Sequence, residues 1–358
     1  MEYKWQELVP QLQNVLDDAV SSGAECGCQL AIYRHGKPVV DLCAGTFAHD
    51  RNKKIAADSL FPVFSCGKAV LATAVLQAVE RGAFALNTPV KEIWSSFAAP
   101  DKAEITVEHI LSHRAGLYIL PRSTREELAN WQLMCDKIAA MPPRTPAGKK
   151  CVYHPLTFGY LAGNLLVQCE KKTLAEILKR DILEPCGIAE EFLFGCSSNE
   201  TCRYTFLDDS AMPQQPSWYS EMMDDPTLRS ACIPSFNGCA SARAMAKFYA
   251  ALAGEIPGVR LLKPETLVLA AGKLWRDPDD LIPENSWNHF GLGYILCGPP
   301  GQRGRMFGHG GAAGAEGFYD WRTGIAFGFT KNRPLPTHPY HPIRETLSEI
   351  LALPPRNW

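Results

Sequence analysis

Strand-like sequence stands at both ends of this chain and helix-like sequence between them, and that distribution restricts the possible folds more than any other feature. Alternating runs at Gln29–Arg34 and Pro38–Ala44 flank the Gly-containing link His35-Gly36-Lys37, which predicts a β-hairpin. Near the other end Phe290–Cys297, Gly317–Trp321 and Ile325–Lys331 read as strands, the last two joined by the turn Arg322-Thr323-Gly324. Helical spacing governs Cys66–Arg81, Val107–Ser112, Thr124–Ala140, Leu156–Cys169, Leu174–Leu183 and Ser241–Ala253 between them. A first helix is predicted to end at Ser22-Gly23, and His341–Leu353 returns to helix. The expected class is α+β: an antiparallel sheet built from both chain ends, flanked by helices, with a large mostly helical insertion. Residues 1–75 with 285–358 are expected to form the sheet domain and 76–284 the helical domain, with the functional site at their interface.

Charge excludes some partners. Lys and Arg number 36 against 38 Asp and Glu, a net charge of −2, so there is no basic excess for nucleic acid. The longest apolar stretch, Ala69–Val79, is broken by Thr73 and Gln77 and falls short of the ~20 residues of a membrane span. The N-terminus reads as an amphipathic helix rather than a secretory signal, and 13 cysteines, an odd count, suit reduced thiols. A cytoplasmic location is expected. No Cys-x-x-Cys is present, and although His109 and His113 stand four apart, no third ligand accompanies them. No metal and no cofactor are therefore expected, and the two histidines are assigned hydrogen-bonding roles.

Ser65-Cys66-Gly67-Lys68 opens a strongly apolar helix. Positions three apart share a helical face, so hydroxyl and amine can meet. Burial among Ala69–Ala72 disfavours the charged lysine and yields a base near neutrality, while the helix N-terminus favours an oxyanion. The spacing alone is weak, because with 18 serines and 17 lysines chance supplies about one Ser-x-x-Lys. Its alternative reading is a helix cap followed by a solvated lysine.

Two further elements give it context. Tyr153, in Val152-Tyr153-His154-Pro155 ahead of an apolar helix, offers a phenol for proton transfer. Phe307-Gly308-His309-Gly310-Gly311-Ala312-Ala313-Gly314 offers backbone N–H groups that a substrate can approach closely. A dinucleotide fingerprint needs glycine at 313, where alanine stands, and neither a phosphate-binding Gly-x-x-x-x-Gly-Lys loop nor a Gly-x-Ser-x-Gly elbow occurs.

In this order the three elements resemble the serine β-lactamase and penicillin-binding-protein superfamily, in particular its class C-like branch of family VIII carboxylesterases and related acyltransferases. The resemblance spans nearly the whole chain. Leu60–Lys68 is similar to the nucleophile segment, Ile105–Leu117 with His109 and His113 to the stretch after the first helices, and Pro146–Asn164 to the tyrosine segment. Asn237–Tyr249 and Gly308–Gly314 match the loop-helix and the third motif. The resemblance implies a β-lactamase-like fold, Ser65 as nucleophile, Lys68 and Tyr153 as its proton-relay partners, and the N–H groups of Ser65 and Ala312 as the oxyanion hole. It also implies His309, Gly310 and Gly311 at the substrate, with His154 as a neighbouring contact.

Two departures steer the substrate. Pro155 stands where the lactamase Tyr-x-Asn carries asparagine, and His309 replaces a lysine, so esters or thioesters are expected rather than antibiotics. The expected function is a serine hydrolase forming an acyl-Ser65 intermediate, a carboxylesterase on small or medium esters. An acyltransferase using an alcohol or amine acceptor is the alternative, and a catalytically silent scaffold of the same fold is the second. Phe158, Trp218, Tyr219, Phe236, Trp287 and Phe318 read either as an acceptor site or as ordinary core aromatics. Loops 203–237 and 276–289 are left without an expected conformation.

Overall fold

A computed structural model describes residues 3–197, 199–275, 279–280, 289–299, 302–334 and 342–354. Its strands are β1 (Gly27–Arg34), β2 (Lys37–Gly45), β3 (Phe61–Phe64), β4 (Phe192–Phe194), β5 (Gly238–Ala240), β6 (Ile295–Cys297), β7 (Met306–Gly310), β8 (Glu316–Asp320) and β9 (Ile325–Lys331). Six of them form one antiparallel sheet in the order β2-β1-β9-β8-β7-β6. Its seam between the chain ends is β1 against β9, with Cys28 opposite Lys331 and Arg34 opposite Ile325. This is the antiparallel α+β sheet built from both ends that the sequence predicts. The hairpin turn rests on His35 and Gly36, both at positive φ (48° and 73°), the backbone twist a two-residue hairpin requires.

The sheet is covered on both faces. Leu30 and Ile32 of β1 join the core shared with Leu12 and Leu16 of the Trp5–Ser21 helix and with Ile343 and Leu347 of the Pro342–Ile350 helix. Ala31, pointing the other way, packs on Ala242 and Ala246 of the Ala242–Leu252 helix. The apolar helix after Ser65 spans Gly67–Glu80 and buries residues on every side, in the core that also holds most of the helical region. It runs past residue 75, so the sheet region and the helical region share it. No helix among the described residues is long and apolar enough to cross a membrane.

Several local expectations change. The helix predicted over Thr124–Ala140 is two, Arg125–Ala129 and Trp131–Ala140, because Asn130 turns extended (φ −83°, ψ 98°) and caps the second by accepting from Leu133 N–H. Leu174–Leu183 is α-helical only through Leu178 and continues as a π-helical turn. The strand predicted over Phe290–Cys297 is reduced to β6, since the chain turns through Gly291-Leu292-Gly293 and Phe290 bridges back to Ile295. The glycine-rich motif that begins at Phe307, for which no strand is predicted, starts in β7, an interior strand of the sheet. A second, three-stranded sheet, β3-β5-β4, has no counterpart in the sequence reading. Segment 203–237 carries two short capped helices, Trp218–Met223 behind Ser217 and Pro226–Ser230 behind Asp225.

Candidate active site

β3 delivers Ser65. Its pairing with β5 shifts register between Pro62 and Phe64, and Phe64 itself adopts a left-handed backbone (φ 46°), an unfavourable conformation for a bulky residue. Edge-on contacts to Tyr219 (5.8 Å between ring centroids) and Phe236 (6.3 Å) hold the Phe64 ring. The chain then enters the Gly67–Glu80 helix, which brings Lys68 back beneath Ser65, as the three-residue spacing predicts.

Lys68 is wholly buried, with Nζ 2.8 Å from Ser65 Oγ and donating to Ser235 O at 2.6 Å. Its burial holds the amine well below the usual lysine range. As the side chains stand, Nζ donates to both oxygens, Ser65 Oγ and Ser235 O.

Ser235 is a site residue that the sequence reading missed, because it acts through its carbonyl and a carbonyl has no residue-type signature. Its loop is pinned by the fully buried Asn237, whose Oδ1 accepts from Ile233 N–H (2.9 Å) and whose Nδ2 donates to Leu228 O and Ala231 O (2.6 Å each). Glycine at 67 lets this loop close, since a Cβ there lies 2.3 Å from Pro234 O. The Asn237-Gly238 pair was the available signal.

Tyr153 reaches the same point from the segment ahead of the Thr157–Glu170 helix. Its hydroxyl hydrogen-bonds the Ser65 side chain, and its ring lies parallel to Phe290 at 5.6 Å. Lys68 Nζ is 5.0 Å from the centre of that ring. Desolvation pushes the phenol above its ordinary value, so it keeps its proton at neutral pH.

The end of β7 closes the other side. The Cys66 thiol donates to His309 O (3.4 Å) and Ala315 O (3.6 Å), and Gly311 sits so close to β3 that a Cβ lies 2.4 Å from Val63 O. The turn is fixed by Gly311 N–H to Ala315 O at 2.7 Å and Gly314 N–H to Gly311 O at 2.9 Å. The backbone N–H groups of Ser65 and Ala312 donate to no acceptor among the described residues.

His309 is buried, with Nδ1–H donating to the Gly310 carbonyl at 2.8 Å, and burial together with Lys68 pushes it down to about 3. It is a neutral ring, and it offers a carboxylate no positive charge. His154 has both nitrogens occupied by backbone: Nδ1–H donates to Val152 O at 2.6 Å and Nε2 accepts from Leu117 N–H at 3.1 Å. No nitrogen is left for substrate, so the substrate contact expected of His154 is replaced by a structural one. His109 serves the capping box of the Val107–Leu111 helix, accepting from Thr106 N–H at 3.3 Å.

Of the aromatic candidates, Phe318 stacks on Phe327 (4.7 Å) in the core beneath the terminal helices, and Phe158 is fully buried. Both are core residues. Tyr219 and Phe236 lie against Phe64, and Trp218, 51% exposed, lies against both. Trp287 falls outside the described residues.

Comparison with known proteins places these features in a family. Residues 12–350 match the family model described as Beta-lactamase. The chain is 31% identical over 339 residues to the esterase/beta-lactamase LipL of Mycobacterium tuberculosis, covering 86% of this chain and 77% of LipL. Among solved structures, a family VIII carboxylesterase superposes with a TM-score of 0.84 at 24% identity, covering 96% of both chains. A penicillin-binding-protein homologue from Caulobacter crescentus gives 0.82 at 29% identity, over 96% of this chain and 97% of that one.

Proposed function

Because the chain belongs to the Beta-lactamase family, we propose that it is a serine hydrolase of the carboxylesterase type, acting on small or medium esters through an acyl-Ser65 intermediate. The single observation that carries this reading is the buried contact of Lys68 Nζ with Ser65 Oγ at 2.8 Å. Its relative LipL bears the name esterase/beta-lactamase, and the neutral His309 favours the first of those activities here.

In this reading Lys68 takes the Ser65 proton as Oγ adds to the ester carbonyl. The resulting oxyanion is received by the N–H groups of Ser65 and Ala312. As the intermediate collapses, the C–O bond to the alcohol breaks, and the leaving oxygen takes a proton from the Tyr153 hydroxyl, which is reprotonated from Lys68. Water then attacks the acyl-enzyme by the same relay in reverse, releasing the acid and restoring Ser65. An alcohol or amine in place of water gives acyl transfer. A sheet domain of residues 1–75 with 285–358, a helical domain of residues 76–284 and a site between them belong to the same proposal. So does a cytoplasmic location, for which the odd count of thirteen cysteines is the support. No step calls for a cofactor.

The test is hydrolysis of short-chain p-nitrophenyl esters as a function of pH. The rate is expected to fall as pH drops through the lowered Lys68 value, where the amine becomes protonated, and to show no falling limb below the ordinary tyrosine value of about 10. His154 at about 4 and His309 at about 3 add no limb near neutrality. A rising limb at the ordinary lysine pKa contradicts the proposal. Adding an alcohol at fixed ester reads the partition: released acid that accounts for all product at every alcohol concentration makes the protein a plain esterase.

A further inference from the structure

His113 has two hydrogen bonds that end on either side of Tyr153. Its carbonyl accepts from Val152 N–H at 2.9 Å, and its ring Nδ1 accepts from His154 N–H at 3.2 Å. The residue before the tyrosine and the residue after it are thus tied to one side chain and its own backbone. The imidazole also packs against the phenol itself, 5.0 Å between ring centroids, and against Phe290 (4.3 Å), the ring on which Tyr153 stacks. His154 extends the strap by accepting from Leu117 N–H, four residues beyond His113.

Packing alone does not account for an imidazole at this position. An Nδ1 that accepts an amide proton leaves the ring proton on Nε2, and that Nε2, fully buried, has no hydrogen-bond partner among the described residues. The backbone is left-handed as well (φ 59°), a further cost for a residue other than glycine. A phenylalanine or leucine fills an apolar pocket without stranding a donor. What the imidazole supplies in return is the acceptor for His154 N–H, a group otherwise buried without a partner.

We infer that His113 is a positioning residue, which sets where the Tyr153 hydroxyl stands relative to Ser65; the inference rests on the proton-relay role proposed for Tyr153. It neither touches substrate nor exchanges a proton. Losing its acceptor frees the amide after Tyr153, and the hydroxyl then departs from the one position in which it meets Ser65. Transition-state geometry suffers more than substrate affinity.

The experiment compares His113→Leu, His113→Asn, Tyr153→Phe and the double variant His113→Leu/Tyr153→Phe on one ester, with kcat expressed per Ser65 titrated by a fluorophosphonate. Asparagine places an acceptor where Nδ1 stood and tolerates the left-handed backbone. His113→Leu is expected to lose about 10²-fold in kcat with KM little changed, approaching the loss in Tyr153→Phe, and His113→Asn to recover most of it. The double variant is expected to be no slower than Tyr153→Phe, because a displaced hydroxyl and an absent one come to the same thing. Should His113→Leu fail to fold, His113→Gln, whose acceptor lies one bond farther out, carries the same contrast with His113→Asn. Wild-type kcat in His113→Leu or His113→Gln, or losses that multiply in the double variant, overturns the inference while leaving the tyrosine relay standing. Wild-type turnover in Tyr153→Phe instead overturns the relay, and the inference with it.

Discussion

Lys68→Met is expected to cost about 10³-fold or more in turnover while leaving the protein at least as stable as its parent. The two effects have one origin. Lys68 is wholly buried, and its desolvation outweighs the opposing Coulombic effect of Cys66. An amine whose pKa is depressed by burial opposes folding at every pH below its ordinary value, because between the lowered and the ordinary pKa the folded chain gives up a proton that the unfolded chain keeps. Methionine, of similar length and apolar, removes that opposition along with the base. The sign can be checked separately. Between the lowered Lys68 pKa and the ordinary lysine value of about 10.4, the unfolded state holds the extra proton, so wild-type stability should rise with pH. In Lys68→Met this contribution should be gone. Chemical denaturation across that pH range, paired with ester turnover, makes the measurement. A variant that remains active, or one that loses stability by several kcal/mol, contradicts the role assigned to the amine.

Tyr153→Phe should fold normally, since the ring keeps its parallel contact with Phe290, and should lower kcat by about 10²-fold or more. The size of the loss should depend on the leaving group. A phenol held protonated by desolvation serves as an acid, and acid assistance matters most when the departing alkoxide is strongly basic. Alkyl esters should therefore suffer more than p-nitrophenyl esters, whose leaving group departs without a proton. Equal losses across both series, with no change in KM, mean that the hydroxyl orients Ser65 rather than donating to the leaving oxygen. No loss in either removes Tyr153 from the mechanism.

The features of this site legible from sequence are those in which side-chain type and helical spacing determine geometry. Lys68 stands in the first turn of a helix whose apolar composition announces its burial, three residues after Ser65, and both properties follow from local sequence. A sheet drawn from both chain ends was legible because Gln29–Arg34 and Ile325–Lys331 each read as strands, whereas the seam that pairs β1 with β9 is set by tertiary contacts. β7 was not legible, because glycine at 308 and 310 weakens any strand signal and tertiary pairing with β6 and β8 supplies what propensity lacks. The break at Asn130 escaped because a side chain that caps one helix interrupts an apolar period that otherwise runs on. Ser235 was missed, and His113 was assigned hydrogen bonding without its partners, for one reason. One contributes a carbonyl and the other a pair of acceptors to flanking amides, and such contacts depend on where distant backbone comes to rest. His154, singled out for standing next to Tyr153, proved to be bound by its neighbours on both sides of the ring.

The central claim is a covalent acyl group on Ser65, and the mass of the intact protein tests it most directly. Protein mixed with a short-chain p-nitrophenyl ester and quenched in acid within the first turnovers should carry one added acyl mass. Peptide mapping should place it on the segment containing Ser65, and Ser65→Ala should carry none. Steady ester turnover by wild type with no adduct at any quench time, or an adduct that persists in Ser65→Ala, contradicts the account.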